Sequence, residues 1–288
     1  MARALRDPLA GTYLGGARYF MDKAFHDELL RSDPATFPDG PDGFAGLWEY
    51  LRGYTMMDPW RVASIASRLW EVRHLPGDVI ECGVFTGGTS IMLALLLRRW
   101  GVTKKVYMLD SFRGLPVPNA THDAFYRAGW FAVGRNTAEQ LAIRCGVRGS
   151  VVIMEGWFKD TLPRLTQERF CLAHVDGDLY ESTTTCLRHL VPRMVEGGVM
   201  VMDDYDDGGG GVKRAVQEHL THTHELLHTG PLPQAYFRVG EKHRERGFRS
   251  SQKEIRGNRP YGRMVAEVQR RVTEDARAVA RLHKLVNG

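Results

Sequence analysis

The chain has 288 residues, 43% hydrophobic and 25% charged, which fits a folded globular protein and excludes a disordered or low-complexity one. Its formal charge of +5 is unevenly spread: residues 241–288 hold 13 basic and 6 acidic residues, while residues 1–240 hold 26 and 28. A near-neutral body argues against nucleic acid as a partner, because phosphate binding needs a positive surface beside the working site.

Along the chain, residues 1–57 read as an N-terminal helical lid segment. Asp22 to Leu30 has helical character, and Asp33 to Gly43 is a loop with three prolines. Phe44 to Arg52 forms a second short helix. The N-terminus lacks the apolar core of a signal peptide, so a cytoplasmic location is expected. A core follows over residues 58–240. Asp58 caps a helix that carries Pro59 in its first turn and runs to about His74, where Pro76-Gly77 stops it.

A regular alternation then begins. The pattern predicts strands at 78–83 (DVIECG), 105–110 (KVYMLD), 150–155 (SVVIME), 170–176 (FCLAHVD) and 198–203 (GVMVMD). Helices are expected at Gly88 to Trp100, Asn136 to Cys145, Glu181 to Val195 and Gly211 to Leu220. His224 to His228 and Ala235 to Val239 flank a proline-rich turn and should pair as an antiparallel hairpin. Five strand-helix units closed by a hairpin predict an α/β fold, a seven-stranded, mostly parallel sheet with helices on both faces. The longest apolar run, Ile91 to Leu97, is far below the roughly 20 residues of a membrane span, so no membrane partner is expected. The four cysteines form no C-x-x-C pair and are expected to be reduced thiols. Residues 241–288 read as a basic linker and a C-terminal helix, whose valine row suggests packing on the body or on a second copy.

Ligands in such sheets lie beyond the carboxyl ends of the strands. The first strand ends in Glu81-Cys-Gly83-Val-Phe-Thr86-Gly87-Gly88, a G-x-x-x-G-G spacing unlike the G-x-G-x-x-G of dinucleotide binders. A nucleoside ligand without a pyrophosphate suits it better, and Glu81 suits a positive group such as a sulfonium. Asp110, 27 residues beyond Gly83, can accept ribose hydroxyls or cap the following turn. Asp176-Gly-Asp178 and Asp203-Asp204 end strands four and five. Carboxylates gathered this way repel one another unless a cation neutralises them, and oxygen donors suit Mg²⁺. The bland reading is helix caps and a solvated acidic loop. The histidines 219, 222, 224 and 228 read as surface residues, and His174 as a buried, hydrogen-bonded one. The aromatics Phe112, Phe125, Tyr126, Trp130 and Phe131 either line an acceptor lid or pack their own loop.

Five motifs in order, Glu81–Gly88, Asp110–Pro116, Gly156–Pro163, Asp176–Thr183 and Asp203–Tyr205, resemble the TylF/MycF family of macrocin- and mycinamicin-type O-methyltransferases. Tyr54-Thr-Met56 resembles that family's segment before the core. The resemblance implies a Rossmann-like class I methyltransferase fold that uses S-adenosylmethionine and Mg²⁺. It implies methylation of a sugar hydroxyl on a glycosylated natural product, with a phenol or catechol as the alternative acceptor and a homo-oligomeric assembly. It further implies Asp176, Asp203 and Asp204 as metal ligands and Asp176 or Asp178 as base. The implied cofactor contacts are Thr55, Met56, Glu81, Gly83, Thr86, Gly87, Ser90, Asp110, Ser111, Gly156, Trp157, Phe158 and Asp176. The chain departs from the family at His174, where many members carry Arg or Lys, at the Gly208–Gly211 loop and in the tail. A metal-dependent phosphoryl-transfer or hydrolytic enzyme is the reading from another class, disfavoured by the absence of a P-loop lysine motif.

Overall fold

The computed structural model describes residues 47, 50–206, 210–220, 227–228 and 233–240. The expected lid helices before residue 47, the loop at 207–209, His222, His224 and the whole basic tail lie outside the described residues.

The elements are α1 (Pro59–Val72), β1 (Asp78–Cys82), α2 (Gly88–Arg99), β2 (Val106–Asp110), α3 (Arg135–Arg144), β3 (Val151–Glu155) and α4 (Phe158–Thr161). Then come β4 (Phe170–Val175), α5 (Tyr180–Leu190), β5 (Met194–Met202), α6 (Gly211–Leu220), β6 (Leu227–His228) and β7 (Ala235–Arg238). They form one seven-stranded sheet of order β3-β2-β1-β4-β5-β7-β6. The first five strands are parallel, and β7 pairs antiparallel with both β5 and β6. This is the expected sheet, hairpin included.

Strands buried on both faces need apolar residues at every position, and β4 (FCLAHV) is buried throughout. One face packs Val79, Val106, Leu172 and Val199 against α1 and α2, including Ile65, Leu69, Ile91 and Leu95. The other packs Ile80, Leu109, Ala173 and Met200 with Leu187 of α5 and Val216 of α6. At about 25 cal/mol per Å² of apolar surface removed from water, these two layers drive folding. None of the described helices is long and apolar enough to cross a membrane.

Two boundaries differ from the sequence reading. The helix expected to reach Val195 ends at Leu190 and tightens into a 3₁₀ turn, Val191–Arg193. Pro192 lacks the N–H that would continue the α ladder. The fifth strand therefore starts at Met194, and its register slips: Phe170 pairs Met194, whereas Leu172 pairs Val199. Gly197, at φ 76°, sits in that irregularity. The short helix α4 was not foreseen, because four residues are too few to show a period.

The order places β1 beside β4, where the sheet's winding reverses. The carboxyl ends of β1, β2, β4 and β5 open there into one cavity of about 670 Å³.

Candidate active site

The cavity exists because the backbone turns sharply as it leaves β1. Gly83 has φ 94°, and a Cβ there would overlap the carbonyl oxygen of Asp176. Only glycine permits both the left-handed conformation and that approach. The loop then climbs to α2, whose first residue, Gly88, lies against the Tyr54 carbonyl so closely that a Cβ would again collide. This contact brings residues 55–57 over the strand ends as a wall of the cavity.

Of the residues implied as cofactor contacts, Thr55, Met56, Glu81, Gly83, Asp110, Ser111, Gly156, Trp157, Phe158 and Asp176 line the cavity. Thr86, Gly87 and Ser90 do not. The Thr86 hydroxyl donates to the Tyr54 carbonyl, and the Ser90 hydroxyl to Glu81 Oε2. Gly87 stands at φ 91° before α2, its N–H on the Val84 carbonyl. These three build the wall, and the hydroxyls of Thr86 and Ser90 are spent on protein partners.

Asp110 is more heavily engaged than its position at the end of β2 suggested. Oδ2 accepts the N–H groups of Val84 and Phe85, both at 2.9 Å, and Oδ1 that of Phe112 at 2.7 Å. Burial pushes its pKa up, and the three donors oppose that shift. A carboxylate oxygen has two lone pairs, so Oδ1 retains one acceptor site for a hydroxyl, not the two sites that both ribose hydroxyls would need. Glu81, also buried, takes His174 Nδ1 at 2.9 Å on Oε1. His174 is thus the buried, hydrogen-bonded histidine expected.

The acidic end is built from two strained corners. Asp178 at φ 59° and Asp204 at φ 54° both occupy the left-handed region. Non-glycine residues held there cost about 1–3 kcal/mol each and persist where surrounding contacts enforce them. Both corners carry carboxylates that lie close to Asp176. Ligand oxygens of Asp176, Asp178 and Asp204 lie within 4.8 Å of one another. Burial, then the neighbouring charges of Asp203 and Asp178, raises the Asp176 pKa well above the usual carboxylate range. Three convergent hard oxygen donors fit a divalent cation of the Mg²⁺ type.

Asp203, the further ligand the resemblance implies, also lines the cavity, and both of its carboxylate oxygens have protein partners. It is buried; Oδ1 accepts Gln234 Nε2 at 2.6 Å and Oδ2 is ion-paired with Arg61 Nη1. Asp178, expected as a base, joins Asp176 and Asp204 among the converging oxygens. Arg61 and Gln234 went unrecognised in the sequence. Arg61 leaves a faint signal, a cation four residues before Ile65 and eight before Leu69 on the buried side of α1, which it shares with Arg68. Burial disfavours its charge, but Asp203, Asp58, Asp204 and Asp176 outweigh that and hold its pKa well above the ordinary value. Gln234 lies in a proline-rich turn and leaves none.

A mostly parallel sheet of this order, with a nucleoside-sized cleft beside a carboxylate cluster at its winding reversal, defines the Rossmann-like methyltransferase class. Residues 45–229 match the family described as macrocin-O-methyltransferase (TylF), and the chain belongs to that family. It is similar to the 8-demethyl-8-(2,3-dimethoxy-alpha-L-rhamnosyl)-tetracenomycin-C 4'-O-methyltransferase of Streptomyces olivaceus, 40% identical over 140 residues, 46% of this chain and 54% of that one. The mycinamicin III 3''-O-methyltransferase of Micromonospora griseorubida is 34% identical over 142 residues, 46% of this chain and 56% of that one. The chain thus spans little more than half the length of these curated relatives. Among solved structures, the O-methyltransferase NovP superposes with a TM-score of 0.60 at 30% identity, covering 65% of this chain and 82% of that one.

Proposed function

We propose that the protein is an S-adenosylmethionine- and Mg²⁺-dependent O-methyltransferase that acts on a sugar hydroxyl of a glycosylated natural product. The observation that carries this reading is the single cavity in which a nucleoside-type half meets the converging carboxylates of Asp176, Asp178 and Asp204.

S-adenosylmethionine would supply an electrophilic methyl carbon, and a cation held by the three carboxylates would acidify and orient the acceptor hydroxyl. The chain's own residues do the rest. Asp110 Oδ1 accepts a ribose hydroxyl, and the Gly156-Trp157 turn covers the base. Glu81 faces the positive end of the cofactor. Met57, Phe85 and Phe131 also line the cavity and keep water from the reacting atoms. The proton leaving the acceptor goes to Asp176 or Asp178, the paired carboxylates at the end of β4. Holding the two reactants about 3 Å apart removes roughly 7–11 kcal/mol of the barrier.

The lining also bears on the acceptor. Beyond the carboxylate trio, Asn119, Asp123, Glu181, Ser182 and Thr185 face the cavity and suit sugar hydroxyls. Besides Arg61, the described lining holds two basic residues, Arg113 and Lys159, on the segments that follow β2 and β3, the cofactor side. An acceptor half rich in carboxylates favours a neutral glycoside over a phosphorylated sugar, which it would repel. A homo-oligomeric assembly and a cytoplasmic location are carried as part of the same proposal, the former tested by light scattering.

Thermal shift with S-adenosylhomocysteine, with and without Mg²⁺, tests the reading. A rise in Tm with the nucleoside, larger when Mg²⁺ is present, is expected. The absence of any shift with the nucleoside would remove the proposal.

A further inference from the structure

The guanidinium of Arg61 touches both halves of the cavity. Its Nε donates to Asp58 Oδ2 at 3.1 Å, and its backbone N–H to Asp58 Oδ1 at 3.0 Å, so the side chain is anchored where α1 begins. Nη2 reaches the Met56 carbonyl at 3.3 Å, in the wall that closes the cofactor half. Nη1 is ion-paired with Asp203 and lies 3.6 Å from Asp204 Oδ1. The side chain is only 16% exposed, so these interactions are little screened by water.

Two effects of opposite sign follow. The positive charge offsets Asp203 and Asp204, which allows β5 to end in two adjacent carboxylates. The same charge sits beside the oxygens that converge with Asp176 and Asp178, so it repels any further cation placed there. Meanwhile the fork of N–H groups ties the 55–57 segment to the end of β5. A lysine could supply the charge but not a planar fork that reaches a carbonyl and a carboxylate together.

We propose that Arg61 is a positioning residue with two opposed tasks: a built-in countercharge that weakens divalent-cation binding at Asp176, Asp178 and Asp204, and a tie that holds the 55–57 wall in place for the cofactor. The inference rests on the functional reading above and goes beyond it, because it assigns a role to a residue outside the implied metal ligands, base and cofactor contacts.

The test is calorimetric titration of the full chain, as wild type, Arg61→Met and Arg61→Lys, with Mg²⁺ alone and with S-adenosylhomocysteine alone. Circular dichroism verifies that each variant is folded. For Arg61→Met we expect Mg²⁺ to bind at least about threefold more tightly, since a nearby like charge is gone. S-adenosylhomocysteine should bind about fivefold more weakly, since a charged hydrogen bond in the wall is lost. For Arg61→Lys we expect Mg²⁺ affinity within about twofold of wild type, because the charge remains, with cofactor affinity still reduced.

A merely structural role would weaken both ligands together. Arg61→Met that weakens both, or changes neither, overturns the inference while leaving the methyltransferase reading intact. If Arg61→Met does not fold, Arg61→Lys with unchanged cofactor affinity overturns it equally. A wild-type protein that binds neither ligand overturns the functional reading itself.

Discussion

Asp110 receives three backbone N–H groups from two loops, so it organises the cavity as much as it contacts a ligand. Asp110→Asn would turn an amide N–H₂ toward at least one of those donors. A buried donor left unsatisfied costs about 1–3 kcal/mol, so urea unfolding should show a loss of that size, together with weaker S-adenosylhomocysteine binding. A variant with wild-type stability would refute this account of the residue. The carboxylates divide in the same way. Asp204→Asn should reduce Mg²⁺ affinity roughly tenfold or more while cofactor affinity holds, because a convergent anionic donor is lost. Asp203→Asn should act through stability, since a buried arginine loses its closest charged partner at a cost of up to about 3–5 kcal/mol. Chemical denaturation and Mn²⁺ titration of the two variants separate these outcomes. How much of this was legible follows from where the partners lie. The two Asp pairs announce themselves as charges at strand ends. The partners that divide them do not, because Arg61 precedes Asp203 by 142 residues and Gln234 sits in a turn with no pattern. That Thr86, Gly87 and Ser90 lie off the cavity lining was hidden for a related reason. A glycine-rich turn signals that backbone approaches a ligand, yet says nothing about which way each side chain points.

At the scale of elements, periodicity carried the argument well. Buried parallel strands read as unbroken apolar runs, and their spacing by helices pointed to a mostly parallel sheet closed by a hairpin. Period fails at short elements and at slips. Helix α4 has four residues, and the irregular start of β5 depends on Pro192 and on pairing with β4, which a local reading does not see. The tightest joint between elements is Gly83 against Asp176. Gly83→Ala should cost at least about 1–2 kcal/mol from its left-handed φ alone, before the overlap with Asp176 is counted. Differential scanning calorimetry measures it, and a Tm unchanged from wild type would show that the joint relaxes freely.

For the whole molecule, the positive formal charge is a poor guide to the chemistry. The excess basic residues belong to residues 241–288, which lie beyond the family match at 45–229. The cavity is lined by residues between Thr55 and Asp204, a part of the chain that gathers acidic groups around an expected cation. The central claim is that this cavity transfers a methyl group from S-adenosylmethionine to an acceptor hydroxyl under control of a divalent ion. Labelled methyl transfer to a panel of neutral rhamnosides, phenols and nucleotide-linked rhamnose, with Mg²⁺ or with EDTA, tests it most directly. We predict transfer to a neutral rhamnoside that EDTA abolishes and Mg²⁺ restores. Transfer undiminished by EDTA, or none to any hydroxyl while S-adenosylhomocysteine binds, would contradict it.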